Sequence, residues 1–246
     1  MPTYCITGTN RGLGLEFVRQ LSQSPENTIL ALTRSLSSDL GPLKEAIAAS
    51  SSPANTHILE CDTSNLLSIH TFSKEAGKIL HPLGKKIDFL LNSAAVNPAS
   101  WQSSLSLGPD DLSHQINVNV VGPAKTVEFL LGSDLLAKDV RILNMTSGLG
   151  SLSVSSGIKP RKCAGYSISK AALNMLSVHQ AEDLKAKLEG AVVIVMDPGW
   201  VKTRMGGEGA VMEPEDSIQD VLRVLHGLKK EDNGKFFHHS GETIPW

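Results

Sequence analysis

Short apolar runs alternate with longer helical patterns from one end of the chain to the other. Seven runs predict β-strands: Thr3–Thr7, Thr28–Thr33, Thr56–Cys61, Asp88–Asn92, Val140–Met145, Ala191–Met196 and a weaker Lys235–His238. Most are continuously apolar, which is typical of strands that helices cover on both faces of a parallel sheet. Helical patterns separate them, at 12–24, 39–49, 66–80, 109–131, 166–188 and 214–229. The alternation predicts an α/β fold with one doubly wound, mainly parallel, seven-stranded sheet and helices on both faces.

Length and charge narrow the class of protein further. The 246 residues are 41% hydrophobic, enough for one sizeable core, and no low-complexity linker divides them, so we expect a single domain over residues 1–246. Lys and Arg (23) nearly balance Asp and Glu (25), which argues against a nucleic-acid binder. No apolar run approaches the roughly 18 residues that span a bilayer. Because we also find no signal peptide, we expect a cytoplasmic protein that binds neither nucleic acid nor membrane.

Cysteine and histidine patterns favour neither a metal site nor a disulfide framework. Cys5, Cys61 and Cys163 are far apart, and the eight histidines form no His-Glu-x-x-His motif. We expect small thiols in a reducing compartment, buried at least for Cys5 and Cys61. The lack of a Gly-x-Ser-x-Gly elbow argues against a hydrolase triad.

A glycine-rich turn follows the first predicted strand and precedes the first helix. It reads Thr7-Gly8-Thr9-Asn10-Arg11-Gly12-Leu13-Gly14. Glycines permit a tight turn and a close backbone approach, and the helix N-terminus offers free N–H groups to a pyrophosphate. The turn predicts a dinucleotide site of the Rossmann type. Its candidate binding residues are Gly8, Asn10, Arg11, Gly12, Leu13 and Gly14.

The end of the second strand bears on which dinucleotide binds. No acid, which would hold the ribose 2′-hydroxyl of NAD, occurs from Thr28 through Ser38, and Arg34 follows the strand. Arg11 is a second cation on the same side, and two guanidiniums can grip a 2′-phosphate. The pattern favours NADP(H) and disfavours an NAD-linked alcohol dehydrogenase. The alternative is two ordinary surface arginines.

Tyr166 and Lys170 are four residues apart on a predicted helix, so they share one face. A phenol with a pKa near 10 is a poor acid at neutral pH. A neighbouring ammonium lowers that pKa, so we expect Tyr166 to donate a proton to a carbonyl oxygen. On its own this spacing has many chance matches, and an exposed amphipathic pair is the alternative.

Taken in order, these motifs resemble the short-chain dehydrogenase/reductase family over essentially the whole chain. The family opens with Thr-Gly-x-x-x-Gly-x-Gly, and a basic residue at the positions of Arg11 and Arg34 goes with NADPH. The resemblance implies that Asp62, after the third strand, contacts the adenine edge. Two segments match cofactor-binding segments of the family, Asn92-Ser93-Ala94-Ala95 and Pro198-Gly199-x-Val201-x-Thr203. The resemblance therefore also assigns to the cofactor site Thr63, Asn92, Ala94, Tyr166, Lys170, Pro198, Val201 and Thr203.

The same resemblance implies a catalytic set of Asn119, Ser147, Tyr166 and Lys170. Ser147 matches the family's serine after the fifth strand, with Thr146 as the alternative hydroxyl. The family's Asn-x-x-Gly pattern selects Asn119 over Asn117, to bend its helix and hold a water in a proton relay through Lys170.

Residues 198–207 and 236–246 look like one branch of the family, the C-factor and sniffer-type carbonyl reductases, which use NADPH. The branch often has a His where this chain has Asp197, and no consequence follows from the sequence. The resemblance implies reduction of a ketone or aldehyde by a homodimer or homotetramer. The alternative is a non-catalytic dinucleotide-binding or signalling protein, although all four catalytic residues are present.

Three long irregular stretches follow strand ends, at 93–108, 148–165 and 199–213. Ligands bind at such ends of open α/β sheets, so these stretches predict the substrate pocket. Their large side chains indicate an apolar carbonyl substrate: Trp101, Leu149, Leu152, Trp200, Met205 and Met212.

Overall fold

The computed structural model describes residues 1–159 and 162–246. Its strands are β1 (Thr3–Thr7), β2 (Thr28–Thr33), β3 (Thr56–Glu60), β4 (Ile87–Asn92), β5 (Leu136–Met145), β6 (Val192–Asp197) and β7 (Phe236–His238). They form one sheet in the order β3-β2-β1-β4-β5-β6-β7, and every neighbouring pair is parallel. The predicted fold class is confirmed.

The α-helices of this described part lie between the strands. They are α1 (Gly12–Leu21), α2 (Gly41–Ala48), α3 (Leu66–Leu80), α4 (Pro109–Ile116), α5 (Gly122–Gly132), α6 (Leu152–Gly157), α7 (Ala164–Lys185) and α8 (Pro214–His226). The predicted helical stretch 109–131 is helical throughout, but it is not one regular α-helix. A π-helical turn, Asn117–Val121, separates α4 from α5. Pro123 has no N–H for a regular helix interior, and such turns are frequent at functional sites.

Two apolar cores lie on opposite faces of the sheet. One includes Phe17 of α1 and Ile218 of α8, and the other includes Phe72 of α3 and Leu184 of α7. Within β1, Tyr4 and Ile6 face the first core and Cys5 the second. Successive strand side chains point to opposite faces, so a continuous apolar run supplies both cores at once.

Several element bounds differ from the sequence expectation by up to three residues, and two parts of the chain differ more. β5 begins at Leu136 rather than at Val140, because exposed Lys138 and Asp139 interrupt the apolar run. Part of the stretch 148–165 is helical rather than irregular, because α6 lies inside it. Ser151 caps this helix by accepting the Val154 N–H at 3.0 Å, and six residues are too few for a helical period to appear in the sequence. Residues 160 and 161 of the predicted stretch lie outside the described residues.

The order of strands creates a crevice between β1 and β4. They are neighbours in the sheet, but β2 lies on the far side of β1 and β5 on the far side of β4. The chains leaving their carboxyl ends therefore diverge, and ligands bind in such crevices. In the described ranges no helix is long and apolar enough to cross a membrane.

Candidate active site

The glycine turn after β1 packs directly against the chain that leaves β4. A Cβ on Gly8, where φ is +75°, would lie 2.9 Å from Ala94 Cα. A Cβ on Gly14 would lie 2.2 Å from the Gly8 carbonyl oxygen. The Ala94 N–H donates to Thr7 Oγ1 at 2.9 Å and fixes the approach of the two chains. A larger residue at Gly8 would push the turn away from the chain that leaves β4, and one at Gly14 would disrupt the turn itself.

The N-terminus of α1 opens into this crevice. Its N-cap residue is Arg11, in an extended conformation, with no side-chain cap and no acid in the first turn. The first amide groups therefore remain available to an anion. A Cβ on Gly12 (φ +57°) would lie 3.7 Å from Thr203 Cγ2, so the loop after β6 covers the turn. Leu13 packs at the edge of the first core, and Asn10 is half-buried in the turn.

Three guanidinium groups gather beside this helix end. Burial lowers the pKa of Arg11, and the positive charges of Arg204 and Arg34 lower it further. Across residues 1–159 and 162–246, none of the three takes part in an ion pair. Like charges repel, so such a group is stabilised by an anion bound among them. The residues present therefore fit a ligand rich in phosphate.

Acidic residues near the end of β3 are bonded locally. Glu60 lies beside the end of β2, where its Oε2 accepts the Leu36 N–H at 2.9 Å. Asp62 Oδ1 accepts the Ser64 N–H at 2.9 Å and the Ser64 hydroxyl at 2.7 Å. Asp62 does not cap the following helix, because the N-cap is Asn65. Asp62 Oδ2 keeps no partner in the described ranges, so it remains available for the predicted adenine contact.

Two further predicted residues follow different strands, Asn92 at the end of β4 and Thr63 after β3. Asn92, at the end of β4, donates from Nδ2 to Asn144 Oδ1 at 2.8 Å, while its own buried Oδ1 has no partner. Thr63 is buried against α5, where a Cβ on Gly122 would lie 2.8 Å from the Thr63 carbonyl oxygen. The small residue Gly122 thus lets α5 pack closely against the segment after β3.

Asn119 lies in the π-helical turn and is fully buried. Its Oδ1 accepts the Val96 N–H at 2.8 Å, and its Nδ2 donates to the Val96 carbonyl at 3.0 Å and to Ser169 Oγ at 2.9 Å. The side chain therefore joins the loop after β4 to α7. The π-helical turn interrupts the regular α-helix at this residue, and both the predicted bend and the water relay stay predictions.

The two hydroxyls after β5 have different surroundings. Thr146 is buried, and its Oγ1 donates to Asn174 Oδ1 at 2.7 Å. Ser147 is half-buried, and its Oγ accepts the Leu149 N–H at 3.2 Å. The Ser147 hydroxyl proton has no acceptor in the described ranges, so it can be donated to a ligand. These surroundings favour Ser147 over the alternative Thr146.

The turn that carries Ser147 packs on α7 at Lys170. A Cβ on Gly150 would lie 2.9 Å from the Lys170 carbonyl carbon. Lys170 is 1% exposed and its Nζ donates to the Met145 carbonyl at 2.7 Å. Burial lowers the pKa of this lysine to about 7. Tyr166 lies one helical turn earlier, half-buried, and its hydroxyl has no partner in the described ranges.

The charge around Tyr166 differs from the sequence expectation. We expected Lys170 to lower the phenol pKa, whereas burial raises it well above its usual range and the negative charge of Asp197 raises it further. The expected direction is therefore wrong for the ligand-free protein. The physical reason is desolvation, which disfavours the charged form of both groups: it keeps the phenol protonated and leaves Lys170 only partly charged.

Asp197, at the end of β6, lies within this group. Its Oδ1 accepts the Gly199 N–H at 3.1 Å. A Cβ on Gly148 would lie 2.9 Å from Asp197 Oδ2, so the carboxylate contacts the residue next to Ser147. From the sequence, Asp197 stood out only because the resembling branch of the family often has a His at this position. Its effect on Tyr166 depends on the alignment of β6 with β5 and α7.

The loop after β6 holds the remaining predicted cofactor residues. Pro198 is buried, and its carbonyl accepts the Ser217 hydroxyl at 2.7 Å. Val201 is buried, and Thr203 Oγ1 accepts the Gly206 N–H at 3.1 Å. Arg204 lies in this turn, close enough to Arg11 for its charge to lower the Arg11 pKa. The sequence reasoning missed Arg204, although its position directly after the Val-x-Thr segment was a usable signal.

The large apolar side chains predicted to form the substrate pocket lie on the loops that follow β4, β5 and β6. Trp101, Leu152, Trp200 and Met205 are exposed, while Leu149 and Met212 are half-buried. Trp200 is held in place by its Nε1, which donates to the Gly206 carbonyl at 2.7 Å. No group of three or more His, Cys, Asp or Glu able to hold a metal occurs in the ranges described.

Comparison with known proteins agrees with this geometry. The family model described as short chain dehydrogenase matches residues 2–213. The C-signal of Myxococcus xanthus is 33% identical over 160 residues, which cover 65% of this chain and 93% of that protein. The carbonyl reductase Sniffer of D. melanogaster superposes with a TM-score of 0.88 at 26% identity, over all of both chains. An NADPH-bound carbonyl reductase from chicken fatty liver has a TM-score of 0.88 at 25% identity, over 100% of this chain and 99% of its own.

Proposed function

The chain belongs to the short-chain dehydrogenase family, a family of oxidoreductases, and on that premise we propose that it reduces a ketone or aldehyde to an alcohol with NADPH. The observation that carries the choice of cofactor is the group of three unpaired guanidiniums, Arg11, Arg34 and Arg204, beside the uncapped end of α1. A 2′-phosphate and a pyrophosphate would neutralise them. The NADPH-bound carbonyl reductase at 25% identity supports the same choice.

Binding of the cofactor uses both walls of the crevice. Gly8, Gly12 and Gly14 allow the backbone to approach the phosphates, and the amides of α1 bind them. Asp62 Oδ2 would hold the adenine side, and the segments at Asn92–Ala94 and Val201–Thr203 would hold the nicotinamide side. When bound, NADPH supplies a hydride to the substrate carbonyl carbon.

The chain's own groups handle the carbonyl oxygen. Ser147 donates a hydrogen bond to the oxygen, where negative charge develops during reduction. Tyr166 then donates the proton, a role that suits a phenol kept protonated by its surroundings. Lys170 holds the end of β5 through Met145 and so keeps Ser147 beside Tyr166. Asn119 fixes the loop after β4 on the same side.

A signalling role without turnover is the second candidate, favoured by the identity with C-signal. Presence of Asn119, Ser147, Tyr166 and Lys170 together favours the enzyme, because a protein that only binds the cofactor does not need all four.

Fluorescence titration with NADPH and NADH, followed by a panel of ketones and aldehydes monitored by loss of NADPH absorbance, tests the proposal. We expect NADPH to bind at least about tenfold more tightly than NADH, a difference that Arg34→Ala removes. Arg19→Ala, which removes an arginine in the last turn of α1, serves as the control. Equal affinities in the wild type contradict the choice of cofactor. Tight NADPH binding without turnover on any carbonyl favours the signalling role.

A further inference from the structure

Asp197 is a carboxylate without a countercharge at the centre of the candidate site. It is half-buried, and it takes part in none of the ion pairs of residues 1–159 and 162–246. Oδ1 accepts the Gly199 N–H at 3.1 Å, whereas Oδ2 has no donor in those ranges. A carboxylate withdrawn from water is stabilised by a cation or by strong donors.

Asp197 lies near both hydroxyls that are proposed to bind the carbonyl oxygen. Its Oδ2 lies against Gly148, the neighbour of Ser147, and its charge acts on the Tyr166 phenol. A carbonyl oxygen that reaches both hydroxyls brings its substituents to this carboxylate. The exposed side chains of Trp200 and Met205 lie on the loop that begins two residues later and offer an apolar surface.

We propose that Asp197 determines specificity, and that the preferred substrates are amphiphilic carbonyl compounds with a protonated amine close to the carbonyl group. This revises the expectation of a purely apolar substrate. The ammonium group binds Asp197 Oδ2 through charge-assisted hydrogen bonds, and the apolar part of the substrate lies on the side chains of the loops. The inference rests on the proposed function, because it concerns the substrate of the same site.

Two ketones that differ in one group provide the test. Phenacylamine carries an ammonium where propiophenone carries a methyl group, and at about pH 6 the amine is charged. Each is assayed with the wild type, Asp197→Asn and Glu208→Gln. Asn keeps an Oδ1 acceptor for the Gly199 N–H and loses the charge. Glu208 is an exposed acid on the same loop, so it controls for net charge.

The measured quantity is the ratio of kcat/KM for the charged ketone to kcat/KM for the neutral one. Comparing this ratio between variants cancels the intrinsic reactivity of each ketone. We expect Asp197→Asn to lower it at least about tenfold, and Glu208→Gln to leave it within about twofold. An unchanged ratio in Asp197→Asn, with both ketones reduced, overturns the role of Asp197 and leaves the carbonyl reductase proposal intact.

Calorimetric binding of the amino alcohol 2-amino-1-phenylethanol to the NADPH-loaded protein gives a readout that needs no turnover. We expect the wild type to bind it at least about tenfold more tightly than Asp197→Asn does. If no ketone is reduced but this difference is observed, the reductase proposal fails and the cation site stands. If the substitution instead weakens only NADPH binding, Asp197 belongs to the cofactor site and the inference is overturned.

Discussion

The ammonium of Lys170 lies 5.5 Å from the centre of the Tyr166 ring and donates to the Met145 carbonyl at 2.7 Å. The lysine thus connects the helix that carries the phenol to the strand that precedes Ser147. Its burial gives it a pKa of about 7, so in the ligand-free protein the group exchanges a proton near neutral pH. Lys170 therefore both positions the strand that precedes Ser147 and changes its own charge near neutral pH.

Replacement of Tyr166 by Phe removes the hydroxyl and keeps the ring. We expect turnover of any accepted carbonyl to fall by at least about a hundredfold, because general acid catalysis contributes about that much. NADPH affinity, measured by fluorescence, stays within a few-fold. The other tyrosine provides the control, since the Tyr4 hydroxyl bonds His226 Nε2 at 3.0 Å, away from this site. If Tyr166→Phe keeps most of the wild-type rate, the proton comes from elsewhere.

Replacement of Lys170 by Met stabilises the ligand-free protein at neutral pH while abolishing turnover. Burial lowers the lysine pKa from 10.5 to about 7, so between these values the unfolded chain binds a proton that the folded chain lacks. Each pKa unit of this shift costs the folded protein about 1.4 kcal/mol. Loss of the hydrogen bond from Lys170 to the Met145 carbonyl offsets about 1–3 kcal/mol of the gain. We expect a net gain on the order of 2 kcal/mol in the free energy of unfolding at pH 7.

The size of the stabilisation by Lys170→Met depends on pH. The cost of burying the lysine is complete below pH 7, shrinks as pH rises and vanishes above 10.5, where both states are neutral. Urea unfolding at about pH 7 and about pH 9.5 should therefore show a smaller advantage of Lys170→Met at the higher pH. Exposed Lys187→Met is the control. A difference that grows with pH would show that the burial cost is not the cause.

Replacement of Arg204 by Ala weakens NADPH binding by about tenfold, because it removes one of three cations that the phosphates neutralise. Added salt should reduce the difference between wild type and variant, since ions screen charges at an exposed site. Fluorescence titration at two ionic strengths measures both effects. Arg19→Ala is the matched control, since Arg19 lies in the last turn of α1, at the end opposite Arg11, and pairs with Glu16. An affinity equal to that of the wild type would exclude Arg204 from the phosphate site.

Replacement of Asp197 by Asn changes the pH profile of ketone reduction. The phenol pKa of Tyr166 is raised by burial and then by the charge of Asp197, so loss of that charge lowers it. A proton donor must be protonated, and reduction by the variant should therefore decline at a lower pH than in the wild type. The pH dependence of kcat at saturating ketone measures this. A decline at the same or a higher pH contradicts the effect of Asp197 on Tyr166.

The oligomeric state remains a proposal, a homodimer or homotetramer. On α7, Ile168, Met175 and Val178 are exposed apolar side chains, at 45%, 60% and 42% of their surface. A two-fold pairing of this helix would bury them. Light scattering should give a multiple of 26.3 kDa for the wild type, and Met175→Glu should shift the mass toward the monomer. A wild-type mass of one chain at every concentration rejects the proposal.

Local patterns in the sequence determined the fold and most positions of the candidate site. Apolar runs such as Thr28–Thr33 indicated strands buried on both faces, and the glycines after β1 indicated where a phosphate could approach. Both signals depend on neighbours along the chain, which the sequence displays directly. The spacing of Tyr166 and Lys170 is of the same kind, because four residues make about one helical turn.

Only the tertiary structure decided the electrostatic surroundings of Tyr166 and Arg11 and the choice between the hydroxyls of Thr146 and Ser147. Asn174 takes the Thr146 hydroxyl and leaves that of Ser147, Arg204 joins Arg11, and burial together with Asp197 raises the Tyr166 pKa. These effects depend on distances between residues remote in sequence and on the water excluded around them. A protonation equilibrium responds to that three-dimensional environment, and the order of residues along the chain does not contain it.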